Sequence, residues 1–188
     1  MKEIRIATTW EEGKVTIDMW FKSLDQLFDA SDPFPFPKKE LTDMVEDTIF
    51  DQVVDLNLRK DVDLILHIPK GSVSPGDEGQ VANAVKRHFS FRLDDLAREK
   101  ISSWREGRVS VQNVVITLSI SMVVLYLYYL TPEVGFIFQL IIGIFIIMNW
   151  VTIWHTYEYF VYDYRQLWRK YRVYEKLTRV NVVIKQAK

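Results

Sequence analysis

The sequence of 188 residues contains no cysteine. That absence excludes a disulfide framework, thiolate catalysis, iron–sulfur clusters and every zinc site built on Cys ligands. With only 7 glycines and 6 prolines, the chain is neither collagen-like nor a low-complexity linker. The N-terminal stretch MKEIRIATTWEEGK lacks an apolar core of signal-peptide length, so no cleavable targeting segment is expected. No nucleophile–base–orienter set can be assembled, since Cys is missing and no Ser lies in a recognisable elbow. Lys70-Gly71-Ser72 lacks the rest of a phosphate loop. Charge is the other absentee. Residues 109–132 and 134–157 contain no Asp, Glu, Lys or Arg, and only Glu133 separates the two runs.

Apolar runs of this length point to a bilayer, whose core of about 30 Å needs about 20 helical residues. Spans are expected at about 111–130 and 135–154, joined by Thr131-Pro132-Glu133-Val134. Thr131 suits an N-cap, Pro132 the first helical position and Glu133 the positive end of the helix dipole. The spans should therefore form a tight two-helix transmembrane hairpin. Arg92, Arg98, Lys100, Arg105 and Arg108 precede the first span, eight Lys and Arg follow the second, and the turn carries neither. This bias predicts a multi-pass protein of the cell membrane with both termini cytoplasmic. The aromatic residues from Trp150 to Tyr174 fit an interfacial belt. As a base-stacking platform they would lack the usual recognition modules, so no nucleic-acid partner is expected.

The rest of the chain predicts an α+β domain with a small, mostly antiparallel sheet and two to three amphipathic helices. Ile4, Ile6 and then Val15, Ile17, Met19 alternate at period two around Glu11-Glu12-Gly13, a hairpin pattern. The proline-rich run 32–37 should be extended. A helix is predicted from Lys38 to Leu58, with Leu41, Met44, Val45, Ile49, Val53 and Leu56 on its apolar face. Asp43, Asp47, Asp51 and Asp55 form an acidic stripe on it, solvated by default or docking a basic partner or divalent cations. Val62–Ile68 reads as a buried strand. Ser74-Pro75-Gly76-Asp77 should cap a helix running to Glu106 and meeting the first span near Gly107. Beyond the second span a basic helix leads to a strand at 181–184, expected to rejoin the sheet because a lone strand cannot satisfy its backbone. Residues 164–188 carry eight basic side chains against one acidic, whereas residues 1–90 are acidic in balance. The expected divisions are 1–108, 109–162 and 163–188.

Three groups of side chains are candidate sites. Arg105, Arg108, Glu158, Asp163 and Arg165 lie at one depth and could form an ion-pair collar joining the helix ends. His155 and Glu158, one turn apart, are half of a metal site at most, so no metal or cofactor is expected. Gln139 and Asn149 are polar groups inside a span and should seek hydrogen bonds across helices. One hairpin offers few partners, which favours a homo-oligomer or a larger membrane complex.

Four stretches carry a resemblance: Asp32-Pro33 with Pro35-Phe36; His67-Ile68-Pro69 followed by His88-Phe89; Arg105-Glu106-Gly107-Arg108; and Trp154 with Glu158, Phe160, Tyr162-Asp163 and Leu167. In these the chain resembles a family of small prokaryotic two-span membrane proteins with a cytoplasmic α+β domain. It departs at His155-Thr156, where several members carry Arg-Pro. The resemblance implies architecture and supplies no activity, cofactor or catalytic residue. The function expected is a non-enzymatic membrane scaffold or accessory, regulatory protein acting in a larger or homo-oligomeric assembly, with no small-molecule ligand indicated. An oligomeric channel or transporter subunit is the alternative.

Overall fold

The structure is a computed structural model that describes residues 4–11, 13–34, 38–56, 61–74, 76–131 and 135–187. Residues 35–37 of the proline run, Leu58, Pro75 and the predicted turn residues Pro132-Glu133-Val134 lie outside the described residues. The chain divides into two compact units. The first comprises Met1–Leu96 with Lys170–Lys188, and the second Ala97–Arg169.

The first unit is built on four strands, β1 (Arg5–Glu11), β2 (Lys14–Trp20), β3 (Asp61–Pro69) and β4 (Asn181–Ala187), in the order β1-β2-β3-β4. β1 and β2 form the antiparallel hairpin that the alternation predicts, pairing Glu11 with Lys14. Gly13 in their turn has φ 83, a left-handed conformation that glycine adopts without steric cost. The sheet is mixed, however, not mostly antiparallel. β2 pairs parallel with β3, and β3 pairs parallel with β4. Chain connectivity is the reason: only β1 and β2 are joined by a tight turn, while β3 and β4 are each reached through helix-bearing connections that bring the chain back in the same direction.

One face of the sheet is the core. Val15, Ile17 and Met19 of β2 and Leu64, Leu66 and Ile68 of β3 are buried there at every second residue. They share one cluster with Val45, Ile49 and Val53 of α1 (Asp43–Val54), with Val81, Val85 and Phe89 of α2 (Glu78–Leu130), and with Val173 and Leu177 further on. Each such side chain contributes about 1.5–3 kcal/mol by burial.

Two predicted helices have different bounds. α1 starts at Asp43, five residues later than Lys38, because the preceding chain is extended: Leu41 bridges Phe28 and the Glu40 N–H donates to Asp32 Oδ2 at 2.8 Å. Met44 is half-exposed, not part of the apolar face. α2 does not stop at Glu106 but continues to Leu130 as one helix of 53 residues. A single Gly107 is a weak breaker, costing about 1 kcal/mol. Asp77, not Ser74, opens α2, its carbonyl accepting from Gln80 and Val81.

In the second unit, α3 (Phe136–Glu158) runs into a π-helical segment at Tyr159–Tyr164 and then the start of α4 (Arg165–Thr178), whose residues from Lys170 on belong to the first unit. α2 and α3 are antiparallel, since contacts descend one helix as they climb the other: Ser103 with Tyr159, Ser110 with Thr156, Ser121 with Asn149, Tyr128 with Phe138. Both helical stretches, Glu78–Leu130 and Phe136–Thr178, are long and apolar enough to cross a membrane, with 18-residue windows of mean hydropathy 1.8 and 2.3.

Candidate functional site

The most unusual group in the first unit is a buried carboxylate. Glu46 follows Val45 and precedes Ile49 by one turn, so the same face of α1 that enters the core carries it inward. It is 5 % exposed. A carboxylate so placed needs donors. α2 supplies two of them from residues four apart: His88 Nε2 at 2.9 Å and the Arg92 guanidinium, with Nε at 3.0 and Nη2 at 2.8 Å, all on Oε2. The other oxygen, Oε1, accepts from the Tyr174 hydroxyl of α4 at 2.6 Å. One side chain thus ties α1, α2 and α4 together.

The imidazole is itself held. The Leu41 N–H makes a long contact of 3.4 Å to His88 Nδ1, which makes Nδ1 the acceptor and leaves Nε2 to donate to Glu46. Burial pushes the Glu46 carboxyl up, but hydrogen bonds from His88, Tyr174 and Arg92 outweigh it and hold the pKa down at about 2. Burial and the bond to Glu46 both push the Tyr174 phenol up. For Arg92, burial pulls the guanidinium down and the Glu46 partnership more than restores it. A carboxylate ionised throughout the neutral range, with both oxygens taken, is suited to holding helices and not to shuttling protons.

A second polar group lies on the sheet face away from the core. His67 Nε2 meets Asp18 Oδ1 at 2.7 Å, its ring stacks on Trp20 at 4.6 Å, and the Arg5 guanidinium sits 5.4 Å from the Trp20 ring centroid. At the other end of β2, Lys14 pairs with Asp63 at 2.7 Å beside a groove of about 430 Å³ also lined by Asp61, Arg172, Lys176 and Arg179. Among the described residues no three side chains of metal-ligating type converge.

The residues singled out in the sequence distribute as follows. Asp43, Asp47 and Asp51 on α1 and Asp55 at its C-cap are all exposed, and Asp43 reaches Arg92 at 3.9 Å. Arg105, Arg108, Glu158, Asp163 and Arg165 are exposed, and among the described residues no salt bridge joins any two of them. The collar is replaced by a contact of small and aromatic groups. Gly107 is buried against Tyr159 and Phe160, where an added Cβ would lie 2.8 Å from Phe160 Cζ. Ser103 bonds the Tyr159 hydroxyl, and Ser110 meets Thr156 at 2.6 Å. So close an approach of two helices leaves no room for long charged side chains between them. His155 and Glu158 are exposed and make no hydrogen bond to each other. Gln139 is exposed, whereas Asn149 is buried. Its Nδ2 donates to Ser121 Oγ across the helix pair and to the Phe145 carbonyl at 2.9 Å.

Sequence reasoning missed Glu46. The available signal was its position inside the apolar face of α1, with a His and an Arg at i and i+4 on another helix. Compared with known proteins, the chain matches no family model, no curated protein and no solved structure.

Proposed function

We propose that this chain is a two-span integral membrane protein whose α+β domain, on the cytoplasmic side with both termini, scaffolds or regulates a larger or homo-oligomeric assembly without catalysing a reaction. Support for the membrane comes from apolar side chains left uncovered. Ile137, Met122 and Ile147 are 73, 70 and 64 % exposed, and the window on α2 has no buried residue. Patches of that size need a non-aqueous neighbour. The basic flanks and the absence of Lys and Arg from the turn support the orientation, and the resemblance to two-span proteins points the same way.

The observation that carries the regulatory reading is Glu46. It joins α1 to α2 and α4, the helices that continue toward the two spans. A partner that binds the domain and shifts α1 would alter both. The same saturation of Glu46 supports the reading without catalysis.

Extraction in mild detergent followed by native mass measurement tests this proposal. A defined homo-oligomer or a stoichiometric partner is the expected result. A monomer without a partner across several detergents would overturn it.

A further inference from the structure

The second unit contains an apolar groove of about 340 Å³ lined by Val111 and Val114 of α2 and by Ile153, Tyr157, Phe160 and Val161. Thr156 also lines it, but its hydroxyl is already engaged by the Thr152 carbonyl at 2.9 Å and by Ser110 at 2.6 Å. Apart from the Tyr157 phenol, the walls offer a ligand nothing polar. The groove suits a hydrocarbon chain.

Its outer end is cationic. Arg108 precedes Val111 by three residues and Arg165 follows Val161 by four, so each stands about one turn beyond the lining. Because the helices are antiparallel, both turns lie at the same end of the groove. Both arginines are exposed, and neither makes an ion pair among the described residues. The acids at this level face elsewhere: at about 100° per residue, Glu106 lies about 140° around α2 from Val111 and Glu158 about 140° around α3 from Ile153. Asp163 lies two residues from Val161 and three from Phe160 in the π-helical segment, whose wider i→i+5 turn carries a three-residue neighbour off the shared face.

We propose that this groove seats one acyl chain of an anionic phospholipid, with the lipid phosphate held by Arg108 and Arg165. The proposal rests on the reading of α2 and α3 as spans, which would put the arginines at the cytoplasmic headgroup layer and the groove just below it. Apolar shape and charge complementarity select the ligand together: an uncharged lipid satisfies only the groove, and a free anion only the arginines.

Native mass spectrometry of the full chain released from nanodiscs of equal phosphatidylglycerol and phosphatidylcholine tests the site. One phosphatidylglycerol should be retained per protomer, roughly thirtyfold over phosphatidylcholine if each arginine acts as a cation at an anionic surface. The double variant R108Q/R165Q should bring the two lipids to parity, while R169Q, one turn further out, should keep the preference. Absence of preference in the parent chain, or equal loss in R169Q, would overturn the site. Disulfide-linked dimers of a Val161→Cys variant in this cysteine-free chain would show instead that a second copy covers the groove. The membrane reading fails separately: it falls if the protein leaves cell membranes in carbonate without detergent, whereas a detergent-requiring protein with no retained anionic lipid refutes only the lipid site.

Discussion

Glu46 shows how much of a fold can hang on one side chain. Its removal leaves three donors, His88 buried and Arg92 and Tyr174 half-buried, without their acceptor. Breaking a buried ionic group by removing one partner costs about 3–5 kcal/mol. Glu46→Gln should therefore lower the melting temperature of the detergent-solubilised protein sharply, whereas Asp47→Asn, one residue on and exposed, should leave it within error. Acidity gives an independent reading. The folded pKa of about 2 lies below the ordinary 4.5, so the stability that Glu46 contributes is complete above about pH 4.5 and is lost as the pH falls toward 2. Melting curves between those values should slope more steeply for the parent chain than for Glu46→Gln; equal slopes would remove Glu46 from this role. In the sequence the one signal is the place of Glu46 between Val45 and Ile49 on the apolar face, and its neighbours mask it. Flanked by Asp43, Asp47 and Asp51, a glutamate reads as one more solvated acid, and its donors lie 42 to 128 residues away.

At the level of elements, the helix pair depends on Gly107. A side chain there must displace the Tyr159 and Phe160 rings, and overpacking of this kind costs about 1–3 kcal/mol. Gly107→Leu should reduce disulfide yield between Cys residues introduced at Ser110 and Thr156, which otherwise cross-link efficiently; unchanged yield would show that the rings move aside freely. β4 offers a second test. It pairs with β3 along seven residues and buries Val182. Deleting residues 181–188 should lower thermal stability and protease resistance, and an unaffected domain would mean that the strand adds nothing. The β1–β2 hairpin and β3 were legible because period-two alternation survives wherever one sheet face is buried. The parallel pairings were less so. Their signal was the length of the β2–β3 connection, about 40 residues containing a helix, which permits a same-direction return. The uninterrupted run of α2 through Gly107 is hard to read because a lone glycine resembles a boundary, whereas helical propensity on both sides outweighs it. Arg105, Arg108, Glu158, Asp163 and Arg165 share a depth yet are exposed, because equal depth along two helices does not place side chains in the seam between them.

For the whole molecule, the charge pattern predicts that Lys185 and Thr131 lie on opposite sides of the membrane. Single Cys variants at these positions should differ in intact cells, Thr131→Cys reacting with an impermeant maleimide and Lys185→Cys only after lysis; external labelling of Lys185→Cys would invert or abolish the topology. The first unit is also discontinuous in sequence, its final strand arriving about 110 residues after β3. During synthesis at about 5–20 residues per second, β3 therefore waits roughly 5–20 s with one edge unpaired. An open edge of buried-type residues is a site for mispairing between chains. Both apolar helices are made within that interval. If the two helices insert as proposed, completion of the domain follows insertion: a chain stalled before the second helix enters the bilayer would carry an unfinished sheet with the edge of β3 exposed.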